Sequence, residues 1–120
     1  MVAITPTIFR AYDVRGTYPE QLNRNVVGTL GQAIGTYAKR RGQSTVVTAR
    51  DGRLSGPDLQ SALNQGLIRA GINVIDVGMV PTPVLYFAAL TLGTGSGVMV
   101  TGSHNPPDYN GFKIMIGGHT

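Results

Sequence analysis

The segment VMVTGSHNPPDYNGFKI, residues 98–114, brings together three side chains that could take part in chemistry. An apolar run precedes Ser103 and His104, and a second apolar run carries Lys113. A hydroxyl nucleophile, a group that titrates near neutral pH and a cation therefore occur within one short stretch. The pattern predicts a buried strand, an exposed polar loop and a returning strand.

Ser103 does not fit the nucleophile of an ordinary hydrolase. It is not in a Gly-x-Ser-x-Gly elbow, and His104 follows it directly. Adjacent side chains in extended backbone point to opposite sides, whereas a base must approach the hydroxyl to roughly 2.6–3.2 Å. We therefore expect Ser103 and His104 to serve different partners.

The residues after His104 predict a stiff loop and then a chain reversal. Pro106 and Pro107 fix their own φ angles, and Asn110-Gly111 is a favoured turn dipeptide. A reversal at Asn110-Gly111 would send Lys113 back toward Ser103 on an antiparallel strand. The alternative is an ordinary polar surface loop followed by a solvated lysine.

A second group of candidates, Tyr12, Asp13 and Arg15, lies in FRAYDVRG, residues 9–16. Arginine suits phosphate because its planar guanidinium donates two parallel hydrogen bonds. Arg15 is thus a candidate phosphate ligand, with Tyr12 on the substrate side. The alternative is an N-terminal strand with an Asp13–Arg15 surface pair of little energetic value.

A third group lies in ARDGRLSGP, residues 49–57, where Arg50, Asp51 and Arg53 follow an apolar segment. This position at a predicted strand end is compatible with a role in supporting the serine loop, since such ends face the ligand crevice of open α/β sheets. The alternative is a simple turn in which Ser55 and Pro57 start the next helix.

Periodicity predicts an α/β fold in three α/β/α layers, around a mostly parallel mixed sheet with one antiparallel strand. Apolar residues recur at helical spacing from Val26 to Ala38 and stop before Gly42. Further helices are predicted at 57–70 and 82–92, and strands at 44–49, 72–77, 97–101 and 111–116. The strand at 111–116 is the predicted antiparallel one.

TGSHNPPDYNGFK resembles the active-site serine loop of the α-D-phosphohexomutases, in the phosphomannomutase/phosphoglucomutase branch. FRAYDVRG, ARDGRLSGP and DVGMVPTPVLYFA are similar to other segments of that family, in family order. The resemblance implies a fold like phosphoglucomutase domain 1. It also implies reversible phosphoryl transfer between mannose or glucose 1-phosphate and 6-phosphate, through a phosphoserine at Ser103 and a hexose 1,6-bisphosphate intermediate.

The resemblance also implies roles for single residues. Ser103 would carry the phosphate and, through it, contact Mg²⁺, while hexose 1,6-bisphosphate would act as activator. Arg15 would contact phosphate and Tyr12 the substrate. Lys113 would bind substrate phosphate or transfer a proton, and His104 would transfer a proton or hydrogen-bond the loop.

The expected partners are a phosphohexose and the rest of a longer chain. The remaining Mg²⁺ ligands would lie in an Asp-Gly-Asp-type loop of a second domain, because the six acidic residues here form no comparable cluster in sequence. Residues 1–120 are expected to be a truncated domain 1, without domains 2–4 and inactive alone. The alternatives are a phosphoglucosamine mutase and a non-catalytic sugar-phosphate-binding relative.

Composition and charge limit the possible binding partners, metal sites and location of the protein. The net charge of +4 comes from scattered arginines and one basic run, Lys39 to Arg41, at a predicted helix end, so it does not indicate nucleic-acid binding. The absence of cysteine excludes disulfides and cysteine-based zinc sites. No membrane span or signal peptide is evident in the sequence, so we expect a cytoplasmic protein without membrane partners.

Overall fold

The computed structural model describes residues 9–10, 13–18, 22–92, 94–101 and 109–117. Within these residues the chain forms six strands and three helices. In chain order they are β1 (Phe9–Arg10), β2 (Asp13–Thr17), α1 (Arg24–Arg40), β3 (Thr45–Arg50), α2 (Gly56–Arg69), β4 (Asn73–Met79), α3 (Thr82–Thr91), β5 (Gly97–Val100) and β6 (Tyr109–Met115).

The strands form one mixed sheet in the order β1-β2-β6-β5-β3-β4. β3 pairs in parallel with both β4 and β5. β6 runs antiparallel between β5 and β2, which confirms the predicted antiparallel strand. The two-residue β1 forms an antiparallel pair with β2. It therefore runs in the same direction as β6, which makes two strands antiparallel to β3, β4 and β5.

One face of the sheet is covered by α1 and α2. Their apolar side chains share a core with Val46, Val98 and Phe112 of the sheet. The two helices approach so closely that a Cβ on Gly66 would overlap the carbonyl oxygen of Gly28 and lie 2.9 Å from the Cα of Gly31. Glycine at this crossing therefore allows the backbones of the helices to touch.

The opposite face is covered by α3, which contacts β3 and β5. Leu85 and Ala89 of this helix pack against Val47, Met99 and Met115. Successive side chains of a strand point to opposite faces of the sheet. Val46 therefore lies in the core beneath α1 and α2, and Val47 lies in the core beneath α3. The three-layer α/β/α arrangement predicted from the sequence is confirmed.

Each helix and strand predicted from periodicity is present, with ends shifted by at most two residues. The predicted turn at Asn110-Gly111 is wrong, because both residues lie inside β6 and pair with Gly16 and Arg15 of β2. One interpretation of FRAYDVRG was an N-terminal strand, and Asp13 to Gly16 of this segment do lie in the strand β2. It lies beside β6, in a pairing that periodicity does not predict.

Candidate active site

The candidate site begins at the edge of the sheet where β3 and β5 end. Arg50 and Val100, the last residues of these parallel strands, are register partners. β6 starts at the same edge, and the backbone N–H of Thr101 donates to the carbonyl of Gly111 at 2.9 Å. Residues 102–108, here called the serine segment, therefore have both flanks at the carboxyl edge of the parallel strands. Open α/β sheets bind their ligands at such edges.

The structure brings two of the predicted site motifs onto neighbouring strands. Lys113 lies in β6 opposite Asp13 of β2 and Met99 of β5. The backbone of Arg15 pairs with Gly111, two residues away along β6. Neighbouring strands lie ~4.8 Å apart, so the backbone positions of Arg15 and Lys113 are close. Tyr12, Ser103 and His104 lie outside the described residues.

Lys113 is half-buried and lies on the side of the sheet covered by α3. Its cross-strand partner Met99 belongs to the core beneath α3, and directly paired residues share a face. Met115, two residues further along β6, belongs to the same core. The apolar neighbours fix the backbone of Lys113 while its long side chain can extend toward the edge of the sheet.

The turn after β3, residues 51–55, contacts both flanks of the serine segment. The hydroxyl of Thr101 donates to a carboxylate oxygen of Asp51 at 2.9 Å. The side-chain amide of Asn110 donates to the hydroxyl of Ser55 at 2.8 Å. ARDGRLSGP thus contacts the chain before and after the serine segment, at Thr101 and at Asn110.

The same turn also starts α2, as the other interpretation of ARDGRLSGP requires. Ser55 is the N-cap residue and Pro57 lies in the first turn, yet the Ser55 side chain makes no capping hydrogen bond. Its hydroxyl oxygen accepts from Asn110 instead. Sequence reasoning assigned Ser55 to the helix, whereas its side chain contacts β6.

Arg50 belongs to a polar network beneath α2. Its guanidinium donates to the side-chain oxygen of Gln60 at 2.8 Å, and the Gln60 amide donates to Thr48 and to Asp76. Thr48 in turn donates to Asn64 at 2.8 Å. Gln60 and Thr48 are fully buried, so these bonds satisfy groups that water cannot reach.

Sequence reasoning missed this network and the contacts of Thr101 and Asn110. The network did leave a signal, because Gln60 is a polar residue inside the apolar stripe that Leu59 and Leu63 define on α2. A polar residue in such a stripe indicates a buried hydrogen-bond partner. The Asn110 contact left no comparable signal, since Asn-Gly is so frequent in turns.

A second polar cluster lies where α1 begins. The Tyr18 hydroxyl donates to Asp58 at 3.2 Å, and the Arg24 guanidinium contacts the other oxygen of that carboxylate at 2.6 Å. The hydrogen bond to Asp58, the negative charge of Asp58 and partial burial raise the pKa of Tyr18, which the charge of Arg24 opposes. This cluster is separate from the contacts that residues 51–55 make with Thr101 and Asn110.

The described residues do not provide a complete magnesium site. Within 9–10, 13–18, 22–92, 94–101 and 109–117, no three His, Asp or Glu side chains are grouped so that they could hold a metal ion. In the same part of the chain, no helix is long and apolar enough to cross a membrane.

Residues 6–119 match the family described as phosphoglucomutase/phosphomannomutase, alpha/beta/alpha domain I. The chain belongs to this family. It is 57% identical over 114 residues to a phosphomannomutase/phosphoglucomutase of Pseudomonas aeruginosa, a match that covers 95% of this chain and 25% of that protein. It is 52% identical over 120 residues to a phosphoglucomutase of Neisseria gonorrhoeae, covering 100% of this chain and 26% of the relative.

A solved structure agrees with the family assignment. A phosphoglucomutase/phosphomannomutase family protein from Burkholderia thailandensis superposes with a TM-score of 0.90 at 52% sequence identity, over 97% of this chain and 27% of that one. The chain therefore has the fold of domain I of its family. It spans about a quarter of the length of the curated relatives it matches.

Proposed function

We propose that the full-length protein is a phosphohexomutase that moves phosphate between the 1- and 6-positions of mannose or glucose. The observation that supports this most directly is the match of residues 6–119 to domain I of the family. The sheet adds a physical reason, because both flanks of the serine segment lie at the carboxyl edge, beside the strand that carries Lys113.

The proposed reaction has two phosphoryl transfers. In the first, the bond between phosphorus and Ser103 Oγ breaks while a sugar hydroxyl oxygen bonds to phosphorus. The hydroxyl proton passes to a base, and Ser103 Oγ takes up a proton. The bisphosphorylated sugar then reorients, and Ser103 Oγ gives up its proton to a base as it attacks the other phosphate, while a proton returns to the freed sugar oxygen. Phosphate and protons balance over the cycle, and no water is consumed.

The side chains divide these tasks by their chemistry. Arg15 would bind phosphate oxygens through its guanidinium and Tyr12 would contact the sugar. Lys113 would neutralise phosphate or carry the hydroxyl proton, and His104 would carry a proton or hydrogen-bond the serine segment. In-line positioning and cations around the phosphoryl oxygens are what phosphoryl transfer requires of a protein.

Mg²⁺ belongs to this proposal through the resemblance of the serine segment to the family. The described residues themselves hold no group of three metal-ligating side chains. The phosphate on Ser103 would contact the metal, and carboxylates elsewhere in the full-length protein would supply the other ligands.

Phosphopeptide mass spectrometry on the full-length protein tests the proposal. The protein is measured before and after incubation with hexose 1,6-bisphosphate and Mg²⁺, with Ser103→Ala as the control. We expect phosphate on Ser103 that hexose monophosphate discharges and that the control lacks. A Ser103 that stays unmodified would contradict the proposal and favour a non-catalytic sugar-phosphate-binding protein.

A substrate panel tests the choice of sugar. We expect full-length protein to turn over mannose 1-phosphate or glucose 1-phosphate at a higher kcat/KM than glucosamine 1-phosphate. Preference for the amino sugar would make the protein a phosphoglucosamine mutase instead.

A further inference from the structure

One short turn holds a residue on each side of the serine segment. Thr101 precedes the segment and donates to Asp51, while Asn110 follows it and donates to Ser55. Asp51 and Ser55 are only four positions apart in the chain. A single structural unit thus fixes the chain on either side of Ser103.

The turn is itself anchored by backbone and side-chain bonds. The N–H of Asp51 donates to the carbonyl of Val100 at 2.9 Å, and the Asp51 carboxylate accepts from the N–H of Arg53 at 3.1 Å. The N–H of Gly56 donates to the Arg53 carbonyl at 3.0 Å. The anchor for both flanks is therefore tied to β5 at one end and continues into α2 at the other.

The Ser55 contact departs from what the local sequence favours. A serine at an N-cap ordinarily accepts a bond from its own helix, but Ser55 makes no such bond. Its partner Asn110 is completely buried, so the Asn110 amide needs an acceptor inside the protein. Ser55 thus supplies to β6 a hydroxyl that would ordinarily cap α2.

We propose that Asp51 and Ser55 are positioning residues that fix where Ser103 is presented to the substrate phosphate. This inference rests on the proposed function. Phosphoryl transfer depends on alignment of the reacting atoms, and a misplacement of ~1 Å costs about 100-fold in rate. The two side-chain bonds hold the chain on both sides of the serine segment, at Thr101 and at Asn110.

The test uses full-length protein with Thr101→Val and Ser55→Ala, which each remove one of the two bonds. Thr101→Ser and Ser55→Thr keep the hydroxyls and serve as conservative variants. Ser61→Ala, on the exposed side of α2, is the matched control for a lost serine hydroxyl. We expect kcat to fall about 10- to 100-fold in the first two variants while KM changes less than about threefold. The conservative variants recover most of kcat, and Ser61→Ala behaves as wild type.

Hydrogen–deuterium exchange on the same proteins separates positioning from general stability. We expect faster exchange confined to peptides that cover 102–108 in Thr101→Val and Ser55→Ala, with α1 and α2 unchanged. Wild-type kcat in both variants would overturn the inference. So would a rise in exchange throughout the chain, because the bonds would then serve overall stability.

The two proposals fail in different ways. Absence of mutase activity in the wild-type protein would overturn the proposed function. The exchange comparison needs no turnover, so it would still decide whether the turn anchors the serine segment. A wild-type enzyme that is active, with variants equal to it in kcat and exchange, would overturn only the positioning role.

Discussion

Lys113 is the candidate catalytic side chain that the structure places most fully. Its backbone is paired on both sides, with Met99 and with Asp13, and its half-buried side chain lies on the α3 side of the sheet. Two chemical roles fit this position, because an ammonium group can neutralise phosphate as a fixed charge or transfer a proton. The two roles differ in what a replacement by arginine does.

We predict that Lys113→Met lowers kcat of the full-length enzyme by ~10²–10⁴-fold, the usual contribution of a general acid or base. Lys113→Arg distinguishes the roles: arginine keeps the charge but does not release its proton. Recovery of most of kcat by arginine indicates a fixed cation, and failure to recover indicates proton transfer. Steady-state kinetics gives the answer, with Lys39→Met on the exposed side of α1 as control. An unchanged kcat in Lys113→Met would rule out both roles.

Tyr18 supports a prediction about pH. Its hydrogen bond to Asp58, together with the charge of Asp58, raises the pKa of the phenol. The folded protein therefore holds the Tyr18 proton more tightly than the unfolded chain, in which the pKa is about 10. The stability from this contact is complete below pH ~10 and is lost as pH rises through the higher folded pKa.

We expect the difference in free energy of unfolding between wild type and Tyr18→Phe to shrink as pH rises above ~10. Urea unfolding at a series of alkaline pH values measures it. Asp58→Asn removes the charge, and we expect it to lower the pKa of Tyr18 in an absorbance titration referenced to Tyr18→Phe. A Tyr18 pKa that stays the same in Asp58→Asn would contradict the assigned cause.

At the scale of elements, the crossing of α1 and α2 depends on glycine in both helices. A Cβ on Gly31 would lie 2.6 Å from the carbonyl oxygen of Leu63, and one on Gly66 would overlap the Gly28 carbonyl oxygen. A Cβ on Gly28 meets only the end of the Arg69 side chain at 3.2 Å, apart from a backbone oxygen at 4.0 Å. Backbone atoms cannot move aside as a side-chain end can.

We predict that Gly66→Ala lowers the free energy of unfolding by about 1–3 kcal/mol, as overpacking of a tight contact does. Gly28→Ala is the matched control in the same helix pair. For Gly28→Ala we expect no loss in the free energy of unfolding, because alanine gains up to ~1 kcal/mol of helix propensity over glycine. Urea unfolding compares the two, and equal effects would show that the helix crossing tolerates an added methyl group.

The elements themselves could be predicted from the sequence because their signals are local. Helical spacing from Val26 to Ala38 and the glycine at position 42 define α1, and short apolar runs define β3 and β5. The turn predicted at Asn110-Gly111 was wrong for a tertiary reason. β2 and β5 pair with β6 on both sides, and the Asn110 side chain bonds to Ser55, so the dipeptide is held extended.

At the scale of the whole molecule, the arrangement of the site depends on pairings between distant segments. The sequence predicts the serine segment and Lys113 as one unit, and β5 and β6 do pair. It does not predict that Arg15 lies beside Gly111, because strand order is set by packing of the full sheet rather than by local pattern. The contact of Ser55 with Asn110 was hidden for the same reason, since it joins residues 55 positions apart.

We expect residues 1–120 to fold as an isolated chain, because the sheet has a core on each face within the described residues. We expect no detectable isomerisation of hexose 1-phosphate with hexose 1,6-bisphosphate and Mg²⁺. The described residues lack a group of carboxylates for the metal, and the family relatives are about four times as long as the match.

Thermal unfolding followed by circular dichroism checks that the isolated chain is folded, and a coupled assay measures isomerisation beside the full-length enzyme. The isolated chain with Ser103→Ala is the control, because any isomerisation that it shows comes from contaminating mutase of the expression host. Turnover by the isolated chain above that control would mean that the carboxyl edge, with Ser103 and Lys113, is enough for phosphoryl transfer. In that case the other three quarters of the family proteins would contribute selectivity rather than the reaction itself.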